Sequence, residues 1–167
     1  MRKWIAFALV VAVAAVLVGS GSALNRPVVF SVLDAPPQVD QQMGSFNFEN
    51  PPVGGDQFGF HHTLYRWAGT KKGARIGHLQ VVITFVTGFG PTYTLPAQIL
   101  VDAQASLPGG TIMVVGYGRL AANGPSRLTL PVVGGTGTYS NARGYVKVRD
   151  LGNGNISKTN LEFHLKP

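Results

Sequence analysis

The sequence predicts an all-β protein, an eight-stranded antiparallel β-barrel that follows an N-terminal signal peptide. From Pro27 onward, apolar and polar residues alternate with a period of two, which is the spacing of a β-strand. The 22 glycines and 11 prolines among 167 residues fit many turns between short strands, and no segment shows the periodicity of an amphipathic helix. Several short strands between turns favour a barrel or a sandwich, and closure of a barrel leaves no unpaired edge.

Each predicted strand is an apolar or alternating run bounded by turn residues. The clearest lies where Leu79, Val81, Ile83 and Phe85 alternate with more polar neighbours. Pro108, Gly109 and Gly110 indicate a hairpin between two of the strands. The predicted strands, in order, span residues 28–33, 58–67, 78–85, 97–105, 111–117, 126–133, 144–149 and 156–165.

The first 23 residues have the three-part pattern of a secretory signal peptide. Arg2 and Lys3 precede an apolar run of 15 residues from 4 to 18, which is short for the ~20 residues of a membrane-spanning helix. Small residues then lead to a predicted cleavage site after Ala23. We therefore expect a secreted, extracellular domain of residues 24–167 without stable membrane insertion, and the alternative is an uncleaved N-terminal anchor.

Composition narrows the chemistry and the partners. The chain has no cysteine, so disulfides, cysteine nucleophiles and thiolate metal sites are excluded. The formal net charge is +7, but the basic residues are scattered in the sequence except in the run 71–75. That run contains no interleaved aromatic residues, so it indicates a solvated turn and no nucleic-acid partner. The triplet that begins at Asn155 is a glycosylation acceptor only in a eukaryotic host.

The most specific stretch is the segment 130–145, which contains Pro-Val-Val-Gly-Gly-Thr-Gly and, four residues later, Ala-Arg-Gly-Tyr. It resembles the corresponding segment of dirigent proteins, and its Gly-Gly-Thr-Gly core is similar to a loop of allene oxide cyclases. Residues 55–59 and 107–112 resemble two further motifs of bacterial dirigent-like proteins. Glycines 134, 135 and 137 permit a positive φ and close approach of the backbone, so the segment also predicts a compact turn.

The resemblance implies the allene oxide cyclase barrel, with a mostly apolar cavity and, as the family often shows, a homotrimeric assembly. It further implies chemistry on small hydrophobic or phenolic molecules, without a metal or an organic cofactor. Dirigent proteins guide coupling or cyclisation, and allene oxide cyclases fold a reactive epoxide in an apolar pocket.

Two ionisable residues are the candidate catalytic groups. Arg143 matches the arginine of the dirigent motif, which faces the cavity in that family, and Asp34 lies where the family often carries an acid at the cavity mouth. The bland alternatives are a surface arginine and an aspartate that initiates a turn before two prolines. If both residues line the cavity, their truncation should impair ligand handling more than folding. The loop 138–141 lacks the acid that some dirigent proteins place there, which argues against a plant-type acid mechanism.

Four further residues are candidates for ligand binding, as cavity walls or as a polar strand face: Tyr65, Asp102, Tyr117 and Tyr145. Core or rim positions for the tyrosines and a water-facing position for Asp102 are the alternatives. His61 and His62 are adjacent and should point to opposite faces of a strand, so no metal site is predicted.

The sequence thus predicts a secreted barrel that binds a small hydrophobic or phenolic molecule and guides its cyclisation or coupling, as an isomerase or cyclase would. The alternative is a noncatalytic extracellular module for ligand binding or interaction.

Overall fold

The protein is described by a computed structural model over residues 23–43, 51–69, 71–90, 95–121, 127–151 and 158–167. The predicted signal peptide up to residue 22 and the predicted glycosylation acceptor Asn155 lie outside these ranges. No helix within the described ranges has the length and apolar character needed to cross a bilayer.

Eight strands and one short 3₁₀ helix make up the described structure. The strands are β1 (Val28–Met43), β2 (Gln57–Trp67), β3 (Lys72–Phe85), β4 (Ala97–Leu107), β5 (Gly110–Leu120), β6 (Arg127–Gly135), β7 (Arg143–Asp150) and β8 (Thr159–Lys166), and the 3₁₀ helix spans Gly137–Tyr139. Each strand pairs antiparallel with the next, and β8 pairs with β1 to close the barrel. The predicted closed, eight-stranded antiparallel barrel is confirmed.

Apolar residues recur at every second position of the strands, and this alternation places them inside the barrel. Leu64, Ile99, Ile112 and Phe163 are at most 1% exposed and belong to a single continuous core. Phe30 and Phe163 occupy facing positions on β1 and β8, and their rings stack with centroids 5.2 Å apart. The interior is therefore rich in aromatic and branched side chains, as the alternation predicts.

Strand β1 differs most from the prediction. It was expected to end at Leu33, but it continues through the two prolines to Met43. The pairing with β2 shifts register between Ala35 and Gln38, so the prolines lie in an irregularity of the ladder. A bulge accommodates proline because its residues do not all donate to the partner strand. Asp34 therefore lies within a strand, and the alternative that it initiates a turn is wrong.

The expected loop 71–75 is another correction. Lys72 already belongs to β3, so only Lys71 lies outside the strand. These residues are exposed, as a solvated segment should be.

The Gly-rich segment at the end of β6 makes the predicted compact turn, and one of the three expected glycines supplies the positive φ. Gly137 has φ +57°, whereas Gly134 and Gly135 do not have a positive φ. The turn packs on the β4–β5 hairpin, where the Thr138 N–H donates to the Gly109 carbonyl over 2.8 Å. Tyr139 enters the core behind it and is 7% exposed. The turn and Tyr139 thus close one end of the barrel.

Candidate functional site

A buried aspartate–histidine pair lies inside the barrel. Asp34 on β1 and His62 on β2 place Nδ1 of the imidazole 2.8 Å and 2.9 Å from the two carboxylate oxygens. Their side chains are only 6% and 8% exposed. Because Asp34 pairs with Leu64, two residues beyond His62 on the same face of β2, the barrel register brings the two side chains together. Both are polar groups in a largely apolar interior, where a hydrogen bond between them offsets part of the cost of burial.

An aromatic row leads to this pair along β2. The ring centroids of Phe60 and His62 are 4.2 Å apart, and those of Phe58 and Phe60 are 5.6 Å apart. Phe58 and Phe60 face inward, as do Ile83 and Ala103 on the neighbouring strands, yet all four are only partly buried. The row therefore forms an apolar wall on the inner face of β2 that ends at the imidazole of His62.

The pairing fixes the chemistry of the imidazole. The Asp34 carboxylate is a hydrogen-bond acceptor, so Nδ1 of His62 carries a hydrogen. The Nδ1–H group donates a hydrogen bond that the two carboxylate oxygens share. In the neutral ring Nε2 is then an acceptor, and the carboxylate stabilises the imidazolium that forms when Nε2 takes up a proton. An aspartate–histidine pair of this kind can hold and return one proton within an apolar environment.

A second carboxylate lies in the same row of the barrel. In the pairing register Asp34 is opposite Thr159 on β8, and Thr159 is opposite Asp150 on β7. Neighbouring side chains in such a row are about 5 Å apart, so Asp150 lies about 10 Å from Asp34 along the inner face. The row adds polar groups to one side of the interior.

Arg143 does not join this site. It begins β7 on the outer face, is exposed, and its Nη1 donates to the Ala142 carbonyl over 2.9 Å. Asp150, in the row of Asp34, ends the same strand. The two residues are seven positions apart on the strand, a span of about 23 Å. The expectation that Asp34 and Arg143 line one cavity is therefore wrong for Arg143. Side chains alternate between the two faces of β7, and Arg143 lies at an outward position.

The four predicted ligand-binding residues also lie outside the interior. Tyr117 is 73% exposed, and Asp102 is exposed on the outer face of β4. Tyr145 stacks on His164 at 4.5 Å between ring centroids, and the Lys72 Nζ lies 3.7 Å above the ring of Tyr65. Successive side chains of a strand point to opposite faces, and the neighbouring positions face the core. All four residues therefore occupy outward positions of their strands. The alternative of a water-facing Asp102 describes its position correctly.

His62 was missed by sequence reasoning as a partner of Asp34. It was considered only as a metal ligand, although its predicted opposition to His61 is confirmed: His61 is exposed and stacks on His78 at 5.0 Å. The described residues hold no group of three or more metal-ligating side chains. The sequence does contain a signal for this position. His62 is a polar residue on the same strand face as the apolar Phe60 and Leu64, which indicates a polar group inside the barrel.

Tyr139 was also missed as an interior residue. Burial raises the pKa of its phenol above the ordinary value, so the hydroxyl stays neutral at physiological pH. It adds a polar group at the closed end of the barrel, 6.5 Å from the ring of Phe30 between centroids.

The fold and the site together define a class: an up-and-down β-barrel with a buried aspartate–histidine pair at the end of an apolar wall. The sequence matches no protein-family model and no curated protein. Solved structures share the fold, and they include dirigent proteins and cyclases.

Three of these structures illustrate the likeness. The pterocarpan synthase dirigent protein GePTS1 is 14% identical, covers 89% of this chain and 93% of its own, and has a TM-score of 0.61. A pyocyanin demethylase is 19% identical over 80% of this chain and 98% of its own, with a TM-score of 0.55. The Diels-Alderase AbmU from Streptomyces koyangensis is 17% identical over 84% of this chain and 63% of its own, with a TM-score of 0.57. At these identities the likeness establishes the shared barrel.

Proposed function

We propose that this protein binds a small hydrophobic or phenolic molecule inside the barrel and guides its cyclisation or coupling, with His62 and Asp34 as the proton-handling pair. The observation that carries the proposal is the buried Asp34–His62 pair at the end of the Phe58–Phe60 wall. An apolar wall with one oriented polar group is typical of small-molecule sites.

The proposed chemistry needs no group beyond the side chains described. A planar ligand packs on Phe60, which brings a hydroxyl or an acidic C–H to the imidazole. Nε2 of His62 takes the proton, Asp34 stabilises the resulting imidazolium, and the proton returns to the product at another atom. The reaction is then an isomerisation or cyclisation, in which atoms and electrons balance within the substrate.

The structural relatives support the proposal by their own activities. One is named as a pterocarpan synthase dirigent protein, and another as a cyclase that catalyses a [4 + 2] cycloaddition. Because the shared feature is the fold, the activity of this chain is argued from its own interior.

A matched pair of histidine variants tests the proposal. His62→Gln removes the interior imidazole, whereas His61→Gln changes the same residue type on the outer face of the same strand. We expect the affinity for 2-naphthol, a phenolic probe, to fall roughly 10- to 150-fold in His62→Gln, as for loss of a charge-assisted hydrogen bond of about 1.5–3 kcal/mol. His61→Gln should bind as the parent does.

Fluorescence titration gives the affinities, and thermal unfolding identifies any variant that is not folded. Equal affinities for folded His62→Gln and His61→Gln would contradict the proposed site. Mass spectrometry of small molecules that co-purify with the protein would identify the natural ligand class.

The second candidate is a noncatalytic extracellular module for ligand binding or interaction. The outward Arg143 and the loop 138–141, which has no acid, favour it. This candidate predicts binding without turnover, so a bound ligand recovered chemically unchanged after long incubation would support it.

A homotrimer also belongs to the proposal, on the ground of the family resemblance. Met113, Tyr117 and Val133 lie on the outer faces of β5 and β6 and are 43%, 73% and 44% exposed. An assembly that covers this apolar surface would remove it from water.

Export is a further proposal, supported by the pattern of the first 23 residues. Expressed with its full sequence, the protein should appear in the periplasm or medium with a new N-terminus at or near Leu24. N-terminal sequencing checks this result. Recovery of the protein only from membranes, with Met1 intact, would contradict it.

A further inference from the structure

The outer faces of β6, β7 and β8 form a strongly basic surface, here called the basic face. Its exposed cations are Arg127, Arg143, Lys147, Arg149 and Lys166. The residues are far apart in the sequence or separated by uncharged ones, but the register places them on neighbouring strands: Arg127 opposite Arg149, and Arg143 opposite Lys166. Glu162 is the acid that accompanies them on this face.

This charge is poorly compensated within the protein. Like charges at directly opposite positions of a sheet destabilise it, and the basic face has two such pairs. Among the described residues, Lys147 is the cation of this face that forms an ion pair, at 3.6 Å from a Glu162 oxygen. Glu162 also accepts a hydrogen bond from His164, which lowers the pKa of the carboxyl most, against the opposing effect of burial. The Glu162 carboxyl is therefore ionised, and its oxygens act as hydrogen-bond acceptors. Because Glu162 pairs with Lys147, Arg127 and Arg149 remain available to bind an anion.

A groove of about 380 Å³ lies on the basic face, at the end where Arg127 pairs with Arg149. Its walls include Arg127, Lys147 and Arg149 as donors and Asn160 and Glu162 as acceptors. The Asn160 Oδ1 is buried, and no donor among the described residues reaches it. A buried carbonyl oxygen without a donor is costly, so a ligand hydroxyl that reached it would relieve that cost.

We propose that the basic face binds a linear acidic polysaccharide. Such a chain carries carboxylates that the arginines hold and hydroxyls that donate to Asn160 and Glu162, so it matches both kinds of group in the groove. Phosphate alone would leave the two acceptors unused. Single-stranded nucleic acid needs exposed aromatic platforms, whereas the ring of Tyr145 is stacked on His164 and is not among the groove residues.

Charge-reversal variants test the proposal with polygalacturonate as the probe. In Arg127→Glu/Arg149→Glu the affinity should fall at least about tenfold, because two charge-assisted contacts are lost. Arg66→Glu/Lys71→Glu is the control, since it alters exposed cations on and beside β2 by the same net charge. The control should stay within about twofold of the parent, and raised salt should weaken binding of the parent.

A third variant separates recognition of hydroxyls from simple charge attraction. Asn160→Ala leaves the net charge unchanged and should weaken binding of polygalacturonate about threefold or more, while binding of inorganic polyphosphate is unaffected. Isothermal titration calorimetry measures both, and circular dichroism confirms the fold. Equal weakening in the two double variants, or tighter binding to an oligodeoxynucleotide or to phosphatidylglycerol vesicles than to polygalacturonate, would overturn the proposal.

Discussion

Replacing Gly135 with alanine is expected to destabilise the barrel by about 1–3 kcal/mol or more, as overpacking of a tight site does. A Cβ at this position would lie 2.2 Å from the Thr111 carbonyl oxygen, 2.6 Å from that of Tyr139 and 2.9 Å from the Tyr139 Cβ. Two of these neighbours are backbone atoms, so no side-chain rotation relieves the contact. A valine would add two more carbons and should cost more.

The neighbouring glycine provides the control. A Cβ on Gly134 would meet only the Arg143 Nη1, at 3.7 Å, which is an ordinary contact with a flexible side chain. Gly134→Ala should therefore stay within about 0.5 kcal/mol of the parent, as an exposed substitution does. Urea unfolding followed by circular dichroism compares the two. Similar unfolding midpoints for Gly135→Ala and Gly134→Ala would show that the turn does not approach the backbone as described.

The second large effect concerns the buried pair. Asp34→Val is expected to lower the free energy of unfolding by about 3–5 kcal/mol, because breaking a buried pair leaves the other group uncompensated. The imidazole Nδ1 of His62 would lose its acceptor in an interior where its side chain is 8% exposed. The sequence alone suggested that truncating Asp34 would impair ligand handling more than folding, and the contact with His62 changes that expectation.

A double-mutant cycle isolates the interaction. Asp34→Val combined with His62→Phe replaces both polar groups by apolar ones, so the double variant should recover much of the stability lost in Asp34→Val. The coupling between the two sites should be at least about 1 kcal/mol, which is typical of groups in direct contact. Chemical unfolding of the four proteins supplies the values. Strictly additive effects would contradict a buried interacting pair.

The basic face shows why local sequence patterns do not reveal a charged surface that strand pairing assembles. The cations on β6, β7 and β8 are separated in the sequence by inward residues and by the connections between strands. Antiparallel pairing places Arg127 beside Arg149, although 22 positions separate them, and no local pattern indicates that proximity. The sequence drew attention to the run 71–75 instead, because its basic residues are close together along the chain.

The sequence by itself determined the strands of this protein. Alternation of apolar residues decides which side chains can be buried, so eight strands follow from local information, although such strands permit a sandwich as well as a barrel. The same information determined that His61 and His62 face opposite sides, since successive residues of a strand always do.

Tertiary structure decided the site. The direction of Arg143 and of the four candidate ligand residues depends on which face of each strand became the interior, and a single register shift on one strand is enough to change the partners that meet there. The pairing of Asp34 with His62 joins residues that are 28 positions apart, and it depends on the register between β1 and β2, in which Asp34 lies opposite Leu64. Which polar groups meet inside a barrel depends on register between strands, a non-local quantity that the chemistry of either strand alone does not contain.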